Sequence, residues 1–338
     1  MSGPSDMKVM VQAYLNTLSP NMMVMVLLFV LLFFVILYIY QMVKKEDYNC
    51  RVIASYPFYN MKPLTNEILD SPLNKVYIKT AYNCCCTGEF KNDYVNSCAL
   101  LNCAKQGVRA LDFTVYSLKG APVIAASTIS SNRYKEMYNS MSFSKTMTQV
   151  KQMFIYDTVN CTNTSDPLFL IFRIQSANKE IYNMMGDSLS SIFGDGSGSA
   201  SKIYVPTTDN PLDNIKISNL KSKVIILVDI TGLNGFANSK LIPITALQLG
   251  TMTNQIYRES DAYDLLESGI NKNETYVNVL YPDYQSKNVN YDFNTVGLKQ
   301  NFQFIGLNFQ MNDIYLDGYN KFFTSSIVLQ PKTSTKKS

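Results

Sequence analysis

The sequence predicts an α/β fold, a (β/α) TIM-type barrel preceded by a single N-terminal transmembrane helix. Three observations predict it. A nineteen-residue run without a charge or a helix breaker lies near the start, at 22–40. Beyond it, short apolar runs rich in β-branched and aromatic residues alternate with amphipathic or polar stretches, the pattern of strands interleaved with helices. Seven such strand candidates fall within about 260 residues, the size of one barrel of this type.

The first element is MMVMVLLFVLLFFVILYIY, Met22–Tyr40. At 1.5 Å per residue it spans about 28 Å, the thickness of a bilayer's hydrocarbon core. Some twenty residues precede it and no small-residue cleavage site follows, so it reads as a retained anchor rather than a signal peptide. Tyr38 and Tyr40 suit the interface, and Lys44 and Lys45 follow while only Lys8 precedes, a bias that puts the larger part of the chain on the cytosolic face. The expected organisation is a tail at 1–21, the membrane helix at 22–43, a linker at 44–67 containing Pro57 and Pro63, a barrel at 68–332 and a short tail at 333–338.

Within the barrel the strand candidates are KVYIKTA, VRALDFTVY, PVIAAST, PLFLIFRI, KVIILVDI, YVNVLY and FQFIGLNFQ. Helical segments are expected around Tyr94–Lys105, Ser144–Phe154 and Lys179–Ile192, and GDGSGSAS at 194–201 as a surface loop.

Composition removes several classes of function. Lys and Arg number 30 against 26 Asp and Glu, with no basic stripe outside the last few residues, so nucleic acid is not an expected partner. The chain has no histidine, which removes the usual neutral-pH acid/base and the commonest zinc ligand. Cys84, Cys85 and Cys86 stand in a row, but their spacing to Cys98 and Cys103 matches no zinc ribbon or finger. Partly buried thiols are the default expectation for them, with an irregular metal site or a disulfide among 84–103 as the alternatives. The seven cysteines, an odd number, agree with a reducing compartment, although sequons at Asn160, Asn163 and Asn273 would matter if the domain faced a lumen.

The ordered motifs PLNKVYIKTAYN, GVRALDFTVY, GAPVIAAST, DPLFLIFRI, NLKSKVIILVD, VLYPDYQSKNVNY and IGLNFQMNDIYLDGYNKFFTSSIVLQPK resemble the catalytic barrel of phosphoinositide-specific phospholipase C. The likeness runs over 68–332. It implies that barrel fold, and for active members it implies two histidines, one stabilising the phosphorane and one acting as general acid/base, with a calcium ion that lowers the pKa of the attacking hydroxyl.

Carried across residue by residue, the resemblance puts Tyr82 and Ala126 at the two histidine positions. Neither can shuttle a proton at pH 7. Asn83 and Asp112 keep calcium-ligand types, but Thr114 replaces an aspartate and Arg173 a glutamate, so no calcium or other cofactor is expected. Leu227 and Asp229 stand where phosphate-binding lysines are implied, while Asn290 and Tyr291 of the Asn-Tyr motif remain. Arg173 is expected to pair with Asp112 in the barrel mouth.

The resulting expectation is a membrane-anchored, catalytically inactive phospholipase C-like module, bound to a bilayer through 22–43, with protein partners. A non-hydrolytic phosphoinositide-headgroup binder is the alternative, and an active phosphodiesterase with relocated catalytic groups is the third. Strong Asn and Tyr usage also suggests a large DNA virus or an A/T-rich unicellular source, in which case the location would be a virion's internal membrane and the partners capsid-associated proteins.

Overall fold

The computed structural model describes residues 19–129, 134–176, 178–194, 201–207, 211–268, 273, 275–284 and 289–331. The tails and most of the GDGSGSAS segment therefore lie outside the described residues. The chain divides into two units, Met1–Tyr48 and Asn49–Ser338.

The first unit is dominated by α1 (Pro20–Ala54), which starts at a helix-favouring proline and has a mean hydropathy of 3.2 over its most apolar eighteen residues. By length and composition it can cross a membrane. It continues past the apolar run because Lys44 to Ala54 contains no breaker; the helix stops just before Ser55 and Pro57. The first part of the stretch expected as a linker is thus helical, and its last residues belong with the second unit.

The second unit is a nearly closed barrel. Its strands are β1 (Val76–Ala81), β2 (Ala110–Leu118), β3 (Ala121–Ala125), β4 (Met141–Ser142), β5 (Leu168–Gln175), β6 (Val224–Asp229), β7 (Leu247–Leu249), β8 (Ile256–Arg258), β9 (Val279–Tyr281), β10 (Phe304–Leu307) and β11 (Ile327–Leu329). Eight run parallel in the order β7-β6-β5-β2-β1-β10-β9-β8. β3 and β4 form an antiparallel flap on β2, and β11 pairs antiparallel with β1. Helices α3 (Ser97–Lys105), α4 (Phe143–Lys151), α5 (Glu180–Phe193), α7 (Glu259–Ser268) and α8 (Ile314–Phe322) follow their strands on the outside; the short α2 (Asn66–Asp70) and α6 (Ile217–Leu220) lie before β1 and β6.

The two-residue period of a strand assigns the faces. Phe169 of β5 meets Phe304 of β10 edge-on across the barrel interior, so Phe169, Ile171 and Arg173 point inward. Phe172 points out and stacks against Phe143 of α4. Long strands β2, β5 and β6 are almost wholly buried, which is why they read as near-continuous apolar runs. β7 to β9 are only three residues each, too short for a periodic signal, and the sequence reading missed β7 and β8. Gly306 of β10 lets the Tyr281 ring lie across the strand, since a Cβ there would sit 2.5 Å from that ring.

Candidate functional site

The mouth lies at the C-terminal ends of the parallel strands, where residues from different strands converge. β1 ends at Ala81, and the chain turns through Tyr82 and Asn83. Asn83 has φ +44°, a left-handed conformation that asparagine tolerates better than most residues. This turn lets its backbone N–H donate to Asp112 Oδ2 at 3.0 Å, while its side-chain Oδ1 accepts from Thr114 Oγ1 at 2.8 Å.

Arg173 reaches the same point from β5. Its Nε donates to Asp112 Oδ1 at 2.8 Å, and its Nη2 donates to Asp112 Oδ2 at 2.7 Å and to Asn83 Oδ1 at 2.9 Å. The pairing expected from sequence is present, and it is a two-pronged ion pair in a closed setting: Arg173 is 3% exposed and Asp112 0%. Burial opposes the arginine's charge, but the Asp112 carboxylate and the neighbouring Tyr82 and Tyr284 hydroxyls more than offset it, and its pKa rises well above the ordinary value.

Tyr82 and Tyr281 pack as tilted rings with centroids 4.7 Å apart. The Arg173 guanidinium lies over both, 4.7 Å from the Tyr82 centroid and 5.4 Å from that of Tyr281. A second arginine, Arg258 at the end of β8, also lies over both, at 5.4 and 5.7 Å, and stacks 3.7 Å from the Tyr284 centroid. Its Nη1 donates to Tyr82 Oη at 3.1 Å and to the Pro282 carbonyl at 2.8 Å. No ion pair forms to Arg258 among the described residues. Burial pushes the Tyr281 phenol up, and the nearby Asp112 carboxylate adds to the effect.

The calcium ion that the resemblance implies does not fit these residues. The oxygens available to it, on Asp112 and Asn83, already accept from a fixed guanidinium, and that positive charge would share the first coordination shell with a divalent cation. Among the described residues no group of three or more acidic, cysteine or histidine side chains is arranged to hold a metal.

Ala126 is fully buried just beyond β3, and its carbonyl accepts from the Glu136 N–H at 3.0 Å. Glu136, which the sequence reading missed, organises this loop: its Oε2 accepts from Ser127 Oγ, the Thr128 N–H and Thr128 Oγ1 at 2.8, 2.7 and 2.6 Å, and Lys91 lies 3.2 Å from its other oxygen. Burial raises its pKa, but those hydrogen bonds dominate and bring it down to about 2, so it stays a carboxylate. Leu227 lies buried on β6, beside Ile171, and Asp229 ends the strand beside Arg173. Asn290 and Tyr291 serve the scaffold. Asn290 accepts from the Asn308 N–H at 2.6 Å and donates to the Asn308 carbonyl, and the Tyr291 hydroxyl donates to the carbonyls of Leu280 and Gly306 at 3.4 and 3.3 Å.

The cysteine triplet is 2–3% exposed, and with Cys103 and Cys161 it makes up the free thiols. Burial pushes the Cys84, Cys86, Cys103 and Cys161 thiols up, away from the reactive thiolate. Cys50 and Cys98 are instead joined as a disulfide, a pair outside the expected set. Asn163 and Asn273, two of the three sequon asparagines, are 6% and 2% exposed.

Among solved structures the chain is similar to PLC21 of S. officinalis (TM-score 0.62, 16% identity over 78% of this chain and 37% of that one). It is also similar to PLC21 of L. pealei (TM-score 0.61, 16% identity, 80% of this chain and 39% of that one). A Ca2+-dependent phosphatidylinositol-specific phospholipase C from Streptomyces antibioticus matches at TM-score 0.50 and 9% identity, over 77% of this chain and 99% of that one. The chain spans less than two-fifths of the length of the two PLC21 chains. At these identities the likeness establishes a phospholipase C-like TIM barrel and leaves the chemistry to the residues themselves. No protein-family model and no curated protein matches the sequence.

Proposed function

We propose that this chain is a membrane-anchored phospholipase C-like barrel without phosphodiesterase activity, acting as a structural or protein-binding module. The observation that carries the reading is Arg173: its guanidinium occupies the oxygens that would otherwise be offered to a metal. With Tyr82 and Ala126 in place of the implied histidines, neither of the two proton-transfer groups that the resemblance implies is present at its position. The remaining space is filled by the barrel's own side chains, as Tyr82, Asn83, Asp112, Thr114, Arg173 and Tyr281 are each at most 3% exposed. In this reading α1 supplies attachment to a bilayer and the barrel supplies surface. Its partners are membrane-associated proteins, or capsid proteins if the source is viral.

One observation favours a second reading, a phosphoinositide-headgroup binder that does not hydrolyse. Arg258 carries a positive charge at the mouth with hydroxyl, carbonyl and ring partners and no ion pair among the described residues. The deciding experiment measures binding and cleavage of phosphatidylinositol bisphosphate by the full chain in nanodiscs, with and without calcium. The module reading expects neither. Binding without turnover that is lost in Arg258→Gln favours the second reading, and calcium-dependent turnover overturns both.

A further inference from the structure

The disulfide sits where the helix that carries the apolar run reaches the barrel unit. Cys50, near the end of α1, is bonded to Cys98 in the first turn of α3, 48 residues away in sequence, with the Cα atoms 5.7 Å apart. Its neighbours are docked independently of the bond. Asn49 Nδ2 donates to Asp93 Oδ1 at 2.8 Å, Ile53 is 2% exposed, and the Tyr59 N–H donates to the Lys105 carbonyl at the end of α3 at 3.0 Å. Packing and hydrogen bonds therefore bring the two sulfurs together at the surface, while the five remaining thiols are buried.

A partly exposed disulfide persists on the oxidising side of a membrane and is open to reduction by the glutathione pool on the cytosolic side. Against this stands the bias of basic residues around the apolar run, Lys44, Lys45 and Arg51 after it and Lys8 before it, a difference of two charges. A covalent bond at a preorganised site outweighs that difference. We propose that the barrel faces an oxidising compartment and that the Cys50–Cys98 bond, installed there by a protein dithiol–disulfide oxidant, latches the end of α1 onto α3. The inference rests on the anchor reading above.

The chemistry balances. One of the two thiolates attacks the oxidant's disulfide and forms a mixed disulfide; the second thiolate attacks that bond, closing Cys50–Cys98 and releasing the oxidant as a dithiol. Two electrons and the two thiol protons end on the oxidant.

The test uses the full chain inserted into sealed vesicles that contain such an oxidant. Vesicles are washed with alkaline carbonate and exposed to protease with and without detergent; the denatured chain is then labelled with polyethylene glycol maleimide before and after reduction. The expected count is five labels before reduction and seven after. The barrel should resist protease until detergent is added. Cys50→Ser should give six labels under both conditions, and the wild-type count decides the matter even if that variant fails to fold. Seven labels without reductant, or a barrel digested in intact vesicles, overturns the inference. Release by carbonate refutes the anchor reading alone, because label count and protection still report the compartment.

Discussion

Replacing Arg173 by methionine tests the reading of the barrel mouth most directly. The substitution keeps most of the side chain's apolar volume and removes three hydrogen bonds of 2.7–2.9 Å to Asp112 and Asn83. Asp112, 0% exposed, would be left with the Asn83 N–H at 3.0 Å as a donor to its carboxylate. Breaking a buried pair from one side costs about 3–5 kcal/mol, because the surviving charge is uncompensated. Loss of the stacking on Tyr82 and Tyr281 adds about 0.5–2 kcal/mol. Against a domain stability of about 5–15 kcal/mol, the variant should unfold at markedly lower urea. Asp112→Asn in the same chain removes the stranded charge, so the double variant should be more stable than the sum of the two single losses by about 2 kcal/mol or more. Equilibrium urea unfolding of the four chains closes the cycle, with Lys240→Met, which breaks the exposed pair to Asp187, as the surface control of about 0–1 kcal/mol. A loss from Arg173→Met no larger than that of the control, or strict additivity in the cycle, would refute the argument that the pair carries the mouth.

Three more outcomes follow from other parts of the molecule. Gly306→Ala should lower stability by about 1–3 kcal/mol, since the new methyl meets the Tyr281 ring at 2.5 Å and shifts it off its neighbours; thermal unfolding and near-UV dichroism from the tyrosines would report both effects. Cys50→Ser opens a loop of 48 residues, for which chain entropy gives about 4 kcal/mol, and reductant should destabilise the wild type but leave the variant unchanged. Lys79 is fully buried, donating to the Gln106 carbonyl at 2.6 Å, and burial lowers its pKa from 10.5 to about 7. Between those values the unfolded chain binds the proton that the folded chain has released, so this group makes stability rise with pH from about 7 and contributes no slope below it. Lys79→Met should flatten that rise between pH 7 and 9 in denaturation measurements; an unchanged slope would show that Lys79 is not its source.

How much of this was legible in the sequence depends on the distance over which each feature is encoded. The apolar run of α1, the long buried strands β1, β2, β5 and β6, and the first helices are written in consecutive residues, because burial on both faces demands a largely apolar run and a helix able to cross a membrane demands length without charge. Arg173 and Asp112 could also be paired in advance, since the resemblance carries both onto positions of one calcium site, where an arginine would take the place of the ion's charge. The tertiary structure alone decided the rest. Arg258 comes within 3.1 Å of Tyr82 across 176 residues, on a three-residue strand that carries no period to read. Cys50 finds Cys98, rather than a member of the conspicuous triplet, because the triplet is buried in the barrel while α1 docks its end beside α3. Local pattern specifies which residues are apolar enough to bury, whereas closure of a parallel barrel, by bringing distant strand ends to one mouth, specifies which polar groups meet there.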